Sequence, residues 1–405
     1  MRFYAALIGA LLVRSAVAAT GEPASLFERL ETVPYVLVAT VGECAALAEP
    51  RLSRCALRDV RVLRGVPPEP LPEVVEELVF SSDRPGLRRG EAALLLLGPL
   101  PAHSRFTAAL GAGPFLTPSG GRAGCLPAQA AGAVERYLAA LAQPAGSARD
   151  QARLDSLIAA LSDAHTGDEA VQALAATEEL NRKLDGPRAA ALAAAMADRA
   201  LPVERRRALL ELAGTRRLER LRPALRAALS EPDLAPFARA ALARFGEKVD
   251  RDAVRADLAA PAPAARIAAV HATAALPVGD RIPLLASAAL RDADFGVRGE
   301  AIAALQRSGP PAVPALAQVL EDADSRVCYR AAEALAAVGD RPALDALARQ
   351  FEGKSHTAQV AAVFALRRNA SPAALEILGR VRKSTTDERL IKVLDAAAGV
   401  GEHEH

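Results

Sequence analysis

The stretch Asp280–Gly339 carries one pattern of residues twice. The first copy reads Asp294-Phe-Gly-Val297-Arg298 with Ala301, Ala304, Leu305 and Gly309, and the second, 30 positions later, reads Asp324-Ser-Arg-Val327-Cys328 with Ala331, Ala334, Leu335 and Gly339. In each copy the apolar residues follow the valine by 4, 7 and 8 positions, which places them on one face of an α-helix. A repeat of this length predicts an array of helical units that stabilise one another by stacking.

Start and stop residues frame the predicted helices. Asp294 and Asp324 stand where an N-cap acceptor binds the free amides of a first turn. Gly309 and Gly339 stand where a left-handed residue ends a helix. Prolines, which suit a first helical turn, mark the start of the other helix of each unit: these are Pro283, Pro314, Pro342 and Pro372.

A proline-marked helix followed by Asp-x-x-Val-Arg-x-x-Ala-x-x-Ala-Leu and a glycine resembles the HEAT family, specifically the short HEAT-like repeats typified by phycobilisome lyases. Weaker copies of the pattern begin near Asp233, Ala265 and Ala358. The resemblance implies stacked antiparallel helix pairs that curve into a superhelix, with the second helices on the concave side. It does not carry lyase activity to this chain, because no bilin-handling residue can be identified.

Composition restricts the class of protein. The chain has 405 residues, of which 51% are apolar, enough for a sizeable core. Its 50 basic and 48 acidic residues leave a net charge of +2, and aromatic residues make up 3% with no tryptophan. A nucleic-acid-binding protein would carry a basic stripe and stacking aromatics. We therefore expect a protein partner and no nucleic acid.

Residues 1–19 have the pattern of a secretory signal peptide. Arg2 supplies the charged start, Phe3 to Val13 the apolar run, and Ala16 to Ala19 the small-residue cleavage site. The run is too short to span a bilayer, so we expect a periplasmic or secreted protein with no membrane insertion after cleavage. Arg14 lies close to the apolar run, which leaves a cytosolic protein with an unusual N-terminal helix as the alternative.

Residues 20–127 change to short strand-like runs, namely Tyr35–Val41, Ala56–Leu63, Glu77–Phe80 and Ala93–Leu97, separated by turn clusters. They predict a small antiparallel barrel or sandwich of five or six strands. The strand ending in Val-Leu-Arg-Gly, followed by Pro-Gly-Leu-Arg-Arg-Gly-Glu before Leu94, resembles the OB-like barrels of the netrin and metalloproteinase-inhibitor type. The cysteine framework of the animal members is absent, which argues against a protease-inhibitor role.

The remaining chain is predicted to be helical. Residues 128–149 form an alanine-rich helix and a linker, and residues 150–400 form a solenoid of about eight HEAT-like helix pairs. The predicted fold class is mainly α: an α-solenoid preceded by a small antiparallel β-barrel domain.

Four cysteines offer one predicted disulfide. Cys44 and Cys55 lie 11 positions apart, on either side of the excursion between two predicted strands, which suits a disulfide that clamps a hairpin. Pairing of Cys125 with either of them is the alternative. Cys328 replaces the arginine of the repeat pattern and is predicted to be a packed thiol, since no base lies at a spacing that would activate it.

The sequence carries no motif of catalytic or metal-binding chemistry. Residues 402–405 alternate Glu and His, a spacing that could hold a divalent metal only weakly at the end of a chain. Gly111-Ala-Gly113 is not followed by the lysine of a phosphate-binding loop. We therefore predict no enzyme activity, no cofactor and no metal. Six charged residues recur with the repeat and leave two structural alternatives, either a polar ladder between units or caps and solvated charges: they are Asp292, Asp294, Arg298, Asp322, Asp324 and Arg326.

Helical-wheel geometry predicts where a partner docks. The face opposite the buried one collects more Ile, Tyr, Val and Phe than a polar ridge would, and apolar anchors dominate interface energetics. Its predicted partner-binding residues are Ile267, His271, Tyr329, Glu333, Val360, Phe364 and Arg367. The same outward face also includes Gly299, Ala303 and Gln306. The alternative is that Val360 and Phe364 turn into the core. We predict an exported scaffold that binds a protein partner on its concave face, or alternatively an enzyme or inhibitor acting through the barrel with the solenoid as adaptor.

Overall fold

The computed structural model describes residues 25–46, 52–77, 87–100, 110, 115–119, 124–353 and 355–399. The predicted signal peptide, the Gly111-Ala-Gly113 segment and the Glu-His tail lie outside these ranges. The chain divides into two compact units. Unit 1 extends through Leu212 and includes Leu218–Leu221, and unit 2 comprises Ala213–Arg217 and the chain from Arg222 onward.

Unit 1 contains a closed ring of five strands with a sixth beside it. The strands are β1 (Tyr35–Ala46), β2 (Leu52–Arg64), β3 (Val74–Glu77), β4 (Ala92–Pro99), β5 (Leu116–Pro118) and β6 (Cys125–Pro127). The ring runs β1-β2-β3-β5-β4 and closes because β4 also pairs with β1, while β6 pairs with β4. The predicted small barrel before the helices is confirmed. One pair, β3 with β5, is parallel rather than antiparallel.

Alternation along the strands fills the barrel. Leu37 and Val41 of β1 and Leu95 and Leu97 of β4 are fully buried in one cluster, as expected of side chains two positions apart on the same face of a strand. At the far end of the first hairpin, Cys44 faces Cys55 in register and the two are joined by a disulfide. Cys125 therefore stands apart from that bond, half-buried on β6.

Seven helices complete the described part of unit 1 or reach its border. They are α1 (Leu26–Thr32), α2 (Ala131–Leu141), α3 (Ser147–Ala160), α4 (Gly167–Ala176), α5 (Leu180–Lys183), α6 (Gly186–Ala197) and α7 (Val203–Thr215). Ser25 and Glu28 form a capping box at the start of α1. The α2 helix lies within the predicted 128–149 segment, preceded by a short 3₁₀ turn.

A polar and aromatic cluster joins the first three helices of unit 1. Phe27 packs edge-on against Tyr137, with ring centroids 4.9 Å apart. The hydroxyl of Tyr137 donates to Glu31 at 2.8 Å and accepts from Arg153, which also pairs with Glu31. Burial is the main reason that the pKa of Tyr137 lies well above its ordinary value. Unit 1 thus extends past the domain boundary predicted at residue 149.

Two neighbouring arginines of α7 bind the ends of other helices. Arg205 donates to the carbonyls of Leu161 and Asp163, which follow α3, at 2.7 and 3.1 Å, and its Nε donates to Asp168. Arg206 donates to the carbonyl of Met196 near the end of α6 at 2.7 Å. A Cβ at Gly167 would come within 2.2 Å of the Arg205 guanidinium, so a larger residue at this position would displace that guanidinium from its partners.

Unit 2 consists of paired helices. The first helices of the pairs are α8 (Arg222–Ala228), α10 (Arg251–Leu258), α12 (Val278–Arg291), α14 (Val313–Val319), α16 (Arg341–Arg349) and α18 (Pro372–Ser384). The second helices are α9 (Ala235–Arg244), α11 (Pro263–Ala272), α13 (Phe295–Arg307), α15 (Ser325–Val338), α17 (His356–Asn369) and α19 (Glu388–Gly399). Each second helix packs beside the next, and from α10 onward so does each first helix. The predicted solenoid of helix pairs is confirmed, with regular pairing from α8 onward.

The repeated residues occupy the predicted positions within α13 and α15. Val297, Ala301 and Leu305 are fully buried, as are their counterparts Val327, Ala331 and Leu335. Asp294 accepts the amide of Val297 at 3.1 Å, and Gly339 ends α15 in the left-handed conformation at φ 67°. Pro283 differs from the prediction, since it lies inside α12, five residues after the first residue, because that helix already begins at Val278.

Ion pairs recur between neighbouring helix pairs. Arg266 on α11 binds Asp292 at 2.8 Å, and Arg298 on α13 binds Asp322. Each aspartate follows the first helix of the next pair and also accepts an amide of its own turn. Both pairs are largely buried, so the ladder alternative is correct for these residues. The half-buried Asp324 instead bonds locally, capping α15 and pairing with Arg326.

Candidate partner-binding face

The second-helix face is the side of α11, α13, α15 and α17 that their shared core leaves uncovered. Small residues at the buried positions bring the four helices close together, and the outer positions then form neighbouring rows. These rows contain every residue predicted to bind a partner: Ile267, His271, Tyr329, Glu333, Val360, Phe364 and Arg367. These residues span 100 positions in sequence and lie on three of the four helices, α11, α15 and α17.

Two large side chains are exposed on this face. Tyr329 is 36% exposed and Phe364 is 47% exposed. Their neighbours Cys328 and Val363 are buried, because adjacent helical positions point about 100° apart. Val363 packs against Leu390 and Leu394 of α19. The alternative that Phe364 turns into the core is therefore wrong.

The smaller apolar residues of the face are only partly accessible. Ile267 and Val360 are half-buried, and Ile267 packs against the core of the repeats. Val360 is therefore neither fully exposed, as a partner-binding residue would be, nor fully buried in the core. Tyr329 and Phe364 thus supply the large exposed apolar surface of this face, and the remaining members are half-buried or charged.

An arginine and phenylalanine cluster lies at the start of α13, where the sequence pattern predicts only a helix start. The guanidinium groups of Arg326 and Arg330 stand 4.3 and 5.1 Å from the ring centroid of Phe295. A Cβ at Gly299 would meet Arg330 at 2.6 Å. Gly299 was expected to face outward, but it is buried because Arg330 lies across it. The signal in the sequence was a phenylalanine with arginines 31 and 35 positions later.

A polar chain crosses three second helices. Arg244 on α9 lies 3.3 Å from Nδ1 of His271, and Nε2 of His271 lies 3.2 Å from Glu300 on α13. Because a guanidinium can only donate, Nδ1 accepts and Nε2 donates to the carboxylate. This hydrogen bond lowers the pKa of Glu300 below its ordinary value against the opposing effect of burial, helped by the charges of Arg307 and Arg330.

Farther along the face, Glu333 on α15 pairs with Arg368 on α17 at 2.7 Å. Both side chains are mostly exposed, so the pair contributes little to stability. Arg367, next to Arg368, is half-buried and forms no ion pair with any described residue.

Cys328 lies beneath this face at the position that carries arginine in α11 and α13. The thiol is buried, and burial, followed by the charge of Asp322, raises its pKa to about 11. A thiol with a raised pKa is a poor nucleophile at neutral pH, as expected of a packed residue.

Unit 1 contains a cavity of about 860 Å³ that no pattern in the sequence predicts. Apolar side chains of the barrel and the helices line it, among them Ala93, Leu126 and Val171, with Asp168 and Glu204 among its polar residues. Its volume falls in the range of small-molecule sites. Its residues come from β1, β4, β6, α4, α7 and the segments that connect such elements, and no short motif links them.

No group of three or more His, Cys, Asp or Glu side chains in the described ranges is arranged to hold a metal ion. Of the helices that the structure describes, none combines the length and apolar character needed to cross a bilayer.

Comparison with known proteins relates the repeats to one family. The profile described as HEAT repeats matches residues 282–367, from α12 into α17, which supports a HEAT-like repeat. No curated protein matches the chain. Among solved structures, human deoxyhypusine hydroxylase in complex with glycerol is similar at 18% identity, over 63% of this chain and 97% of that one, with a TM-score of 0.26.

Proposed function

We propose that the repeat array is a scaffold that binds a protein partner on its second-helix face. HEAT repeats commonly mediate protein interactions, and the exposure of Tyr329 and Phe364 on adjacent second helices carries the proposal. Tyrosine and phenylalanine supply large contact areas with few rotatable bonds, and aromatic anchors dominate the energetics of many interfaces. By the HEAT resemblance, this would be the concave face.

The polar residues around the two aromatic side chains favour an interface over an accidental exposure. Glu333 and Arg368 follow Tyr329 and Phe364 by four positions each, about one helical turn, and form a solvent-exposed pair. A rim of this kind excludes water from a central anchor and sets the orientation of the partner.

The experiment is affinity capture from the native host with the full-length protein as bait. Tyr329→Ala and Phe364→Ala should each weaken capture of the same partner by roughly 1 to 3 kcal/mol while the melting temperature stays nearly unchanged. Leu375→Ala is the matched control, because Leu375 is similarly exposed but lies on the first helix α18. Equal capture by all variants would refute the proposal, and so would an equal loss with the Leu375 variant.

We further propose that the protein acts outside the cytoplasm. The charged, apolar and small-residue pattern of residues 1–19 supports export, and the Cys44–Cys55 disulfide suits an oxidising compartment. Sequencing the N-terminus of protein purified from its host tests this. Cleavage after Ala18 or Ala19 is expected, and an intact Met1 in a cytosolic fraction would contradict it.

A second candidate function, an enzyme or inhibitor acting through the barrel, is favoured by the cavity of unit 1. Its polar residues include His165, Asp168 and Glu204 beside apolar barrel residues, a combination typical of ligand sites. Ala208→Trp should fill part of the cavity. If the barrel carries the function, this variant loses the activity found in the host, whereas Tyr329→Ala retains it. The opposite result favours the scaffold.

A further inference from the structure

The charges of the second-helix face are unbalanced in one direction. Helices α13, α15 and α17 carry six arginines and two glutamates, in a chain whose 50 basic and 48 acidic residues nearly cancel. Arg298, Arg326 and Arg368 bind carboxylates. The positive charge that this face offers to a ligand therefore comes from the three remaining arginines.

Arg307, Arg330 and Arg367 form no ion pair with any residue that the structure describes. The two glutamates of these helices are already engaged, Glu300 by His271 and Glu333 by Arg368. Arg330 is held in place by the Phe295 ring, so its guanidinium loses less conformational entropy on binding a ligand. The face thus presents guanidinium donors and no uncommitted carboxylate.

The same face presents the exposed rings of Tyr329 and Phe364. We propose that it binds an acidic, partly apolar protein segment, whose carboxylates pair with Arg307, Arg330 and Arg367 and whose apolar side chains cover the two rings. This inference rests on the proposed scaffold function and names the chemistry of the partner. Guanidinium groups bind carboxylates through two parallel hydrogen bonds, which gives direction as well as attraction.

The dimensions suit an extended segment. Packed helix axes lie about 8 to 10 Å apart, so roughly 20 Å separate α13 from α17, a span that about six extended residues cover. Nucleic acid fits less well, because Glu300 and Glu333 lie among the arginines and would repel phosphates along a regular backbone. A short peptide can place its carboxylates between the two glutamates.

The test is selection of phage-displayed random peptides of about twelve residues on the immobilised full-length protein. Peptides enriched in Asp or Glu together with Leu, Phe, Tyr or Trp are expected. Their retention should fall about tenfold or more on the variant Arg307→Glu/Arg330→Glu/Arg367→Glu and in high salt. The single variants Arg307→Glu and Arg367→Glu, which spare the contact between Arg330 and Phe295, should each show part of the loss. Arg349→Glu, an exposed first-helix arginine, should retain the peptides.

Peptides without acidic enrichment, or with equal retention on the charge-reversed and native proteins, would overturn the inference. So would a failure to enrich any peptide, or displacement of the selected peptides by a single-stranded oligonucleotide at lower concentration than by a free acidic peptide. These outcomes leave the scaffold itself to the capture experiment, where Tyr329→Ala and Phe364→Ala report on the native partner whatever its charge. Loss of capture with those variants, without acidic selectivity here, keeps the scaffold and removes only the acidic partner.

Discussion

Buried arginines bind different partners in the two units. In unit 2, Arg266 and Arg298 each reach an aspartate at the end of the next first helix, at corresponding positions of successive repeats. In unit 1, Arg205 and Arg206 are adjacent on α7 and bind backbone carbonyls at the ends of two different helices. The arginines and aspartates of unit 2 belong to the repeat pattern of the sequence, whereas no repeated pattern contains Arg205 and Arg206.

This difference shows how the two units hold their helices together. In a stacked array each junction between helix pairs has similar geometry, so the same arginine–aspartate pair can recur at successive junctions. Unit 1 packs helices of unequal length around a barrel, and each junction leaves different carbonyls to be satisfied. The ladder ends at α15, where buried Cys328 replaces the arginine, and α17 has Gln359, which donates to the carbonyl of Gly353 instead.

The largest expected effect comes from breaking the ladder. Arg298→Ala should destabilise unit 2 by about 3 to 5 kcal/mol, because it leaves Asp322 largely buried without its cation. Hydrogen exchange followed by mass spectrometry should show lost protection in α12–α15. Arg368→Ala is the control, since its pair with Glu333 is solvent-exposed, and should cost less than about 1 kcal/mol. Equal losses of stability in the two variants would contradict the prediction that the buried ladder pair stabilises unit 2 more than the exposed pair does.

The barrel should depend on its disulfide. Replacing both Cys44 and Cys55 with serine should cost about 3 kcal/mol by the chain-entropy estimate for so short a loop. Urea unfolding followed at unit 1 measures it, and adding a reductant to the native protein should reproduce the loss. The stability of unit 2 should not change with the reductant, because its described cysteine, Cys328, forms no disulfide. A reductant-insensitive barrel would contradict the prediction.

The carbonyl contacts of unit 1 should be worth somewhat less. Arg205→Ala should destabilise this unit by about 2 kcal/mol, because the carbonyls of Leu161 and Asp163 lose a buried donor. Asp168→Asn separates the two partners: Asp168 is 69% exposed, so this change should cost less than about 1 kcal/mol. If Asp168→Asn proves as harmful as Arg205→Ala, the ion pair rather than the helix ends would hold Arg205 in unit 1, as in unit 2.

The smallest effect is a pH dependence specific to unit 2. The pKa of Glu300 is lowered in the folded protein, so its contribution is present above the ordinary glutamate pKa of about 4.3 and is lost as pH falls through the lower folded value. Glu300→Gln should lower the melting temperature at about pH 7, and the difference from the native protein should shrink at about pH 3. Glu376→Gln, an exposed α18 control, should give no such change. A melting-temperature difference that does not change with pH would contradict the predicted loss of the Glu300 contribution at low pH.

Much of the face was predictable because a helix fixes the direction of its side chains. Once Val297 and Ala301 define the buried side, Tyr329 and Phe364 follow on the outer side by spacing alone. Gly299 did not follow, because its exposure depends on where the long side chain of Arg330 lies, and spacing says nothing about that. The same limit applies to Val360, whose partial burial depends on the packing of neighbouring helices.

The sequence by itself determined the repeat, the caps, the strand regions of the barrel and the pairing expected of Cys44 with Cys55. These features depend on contacts between residues close in sequence or on a repeat period that is visible in the sequence itself. Only the tertiary structure decided that helices α2–α6 belong with the barrel, that Arg205 binds helix ends, and that a cavity forms beside β4 and β6. Those contacts join residues far apart without a period, and whether they form depends on how whole elements pack.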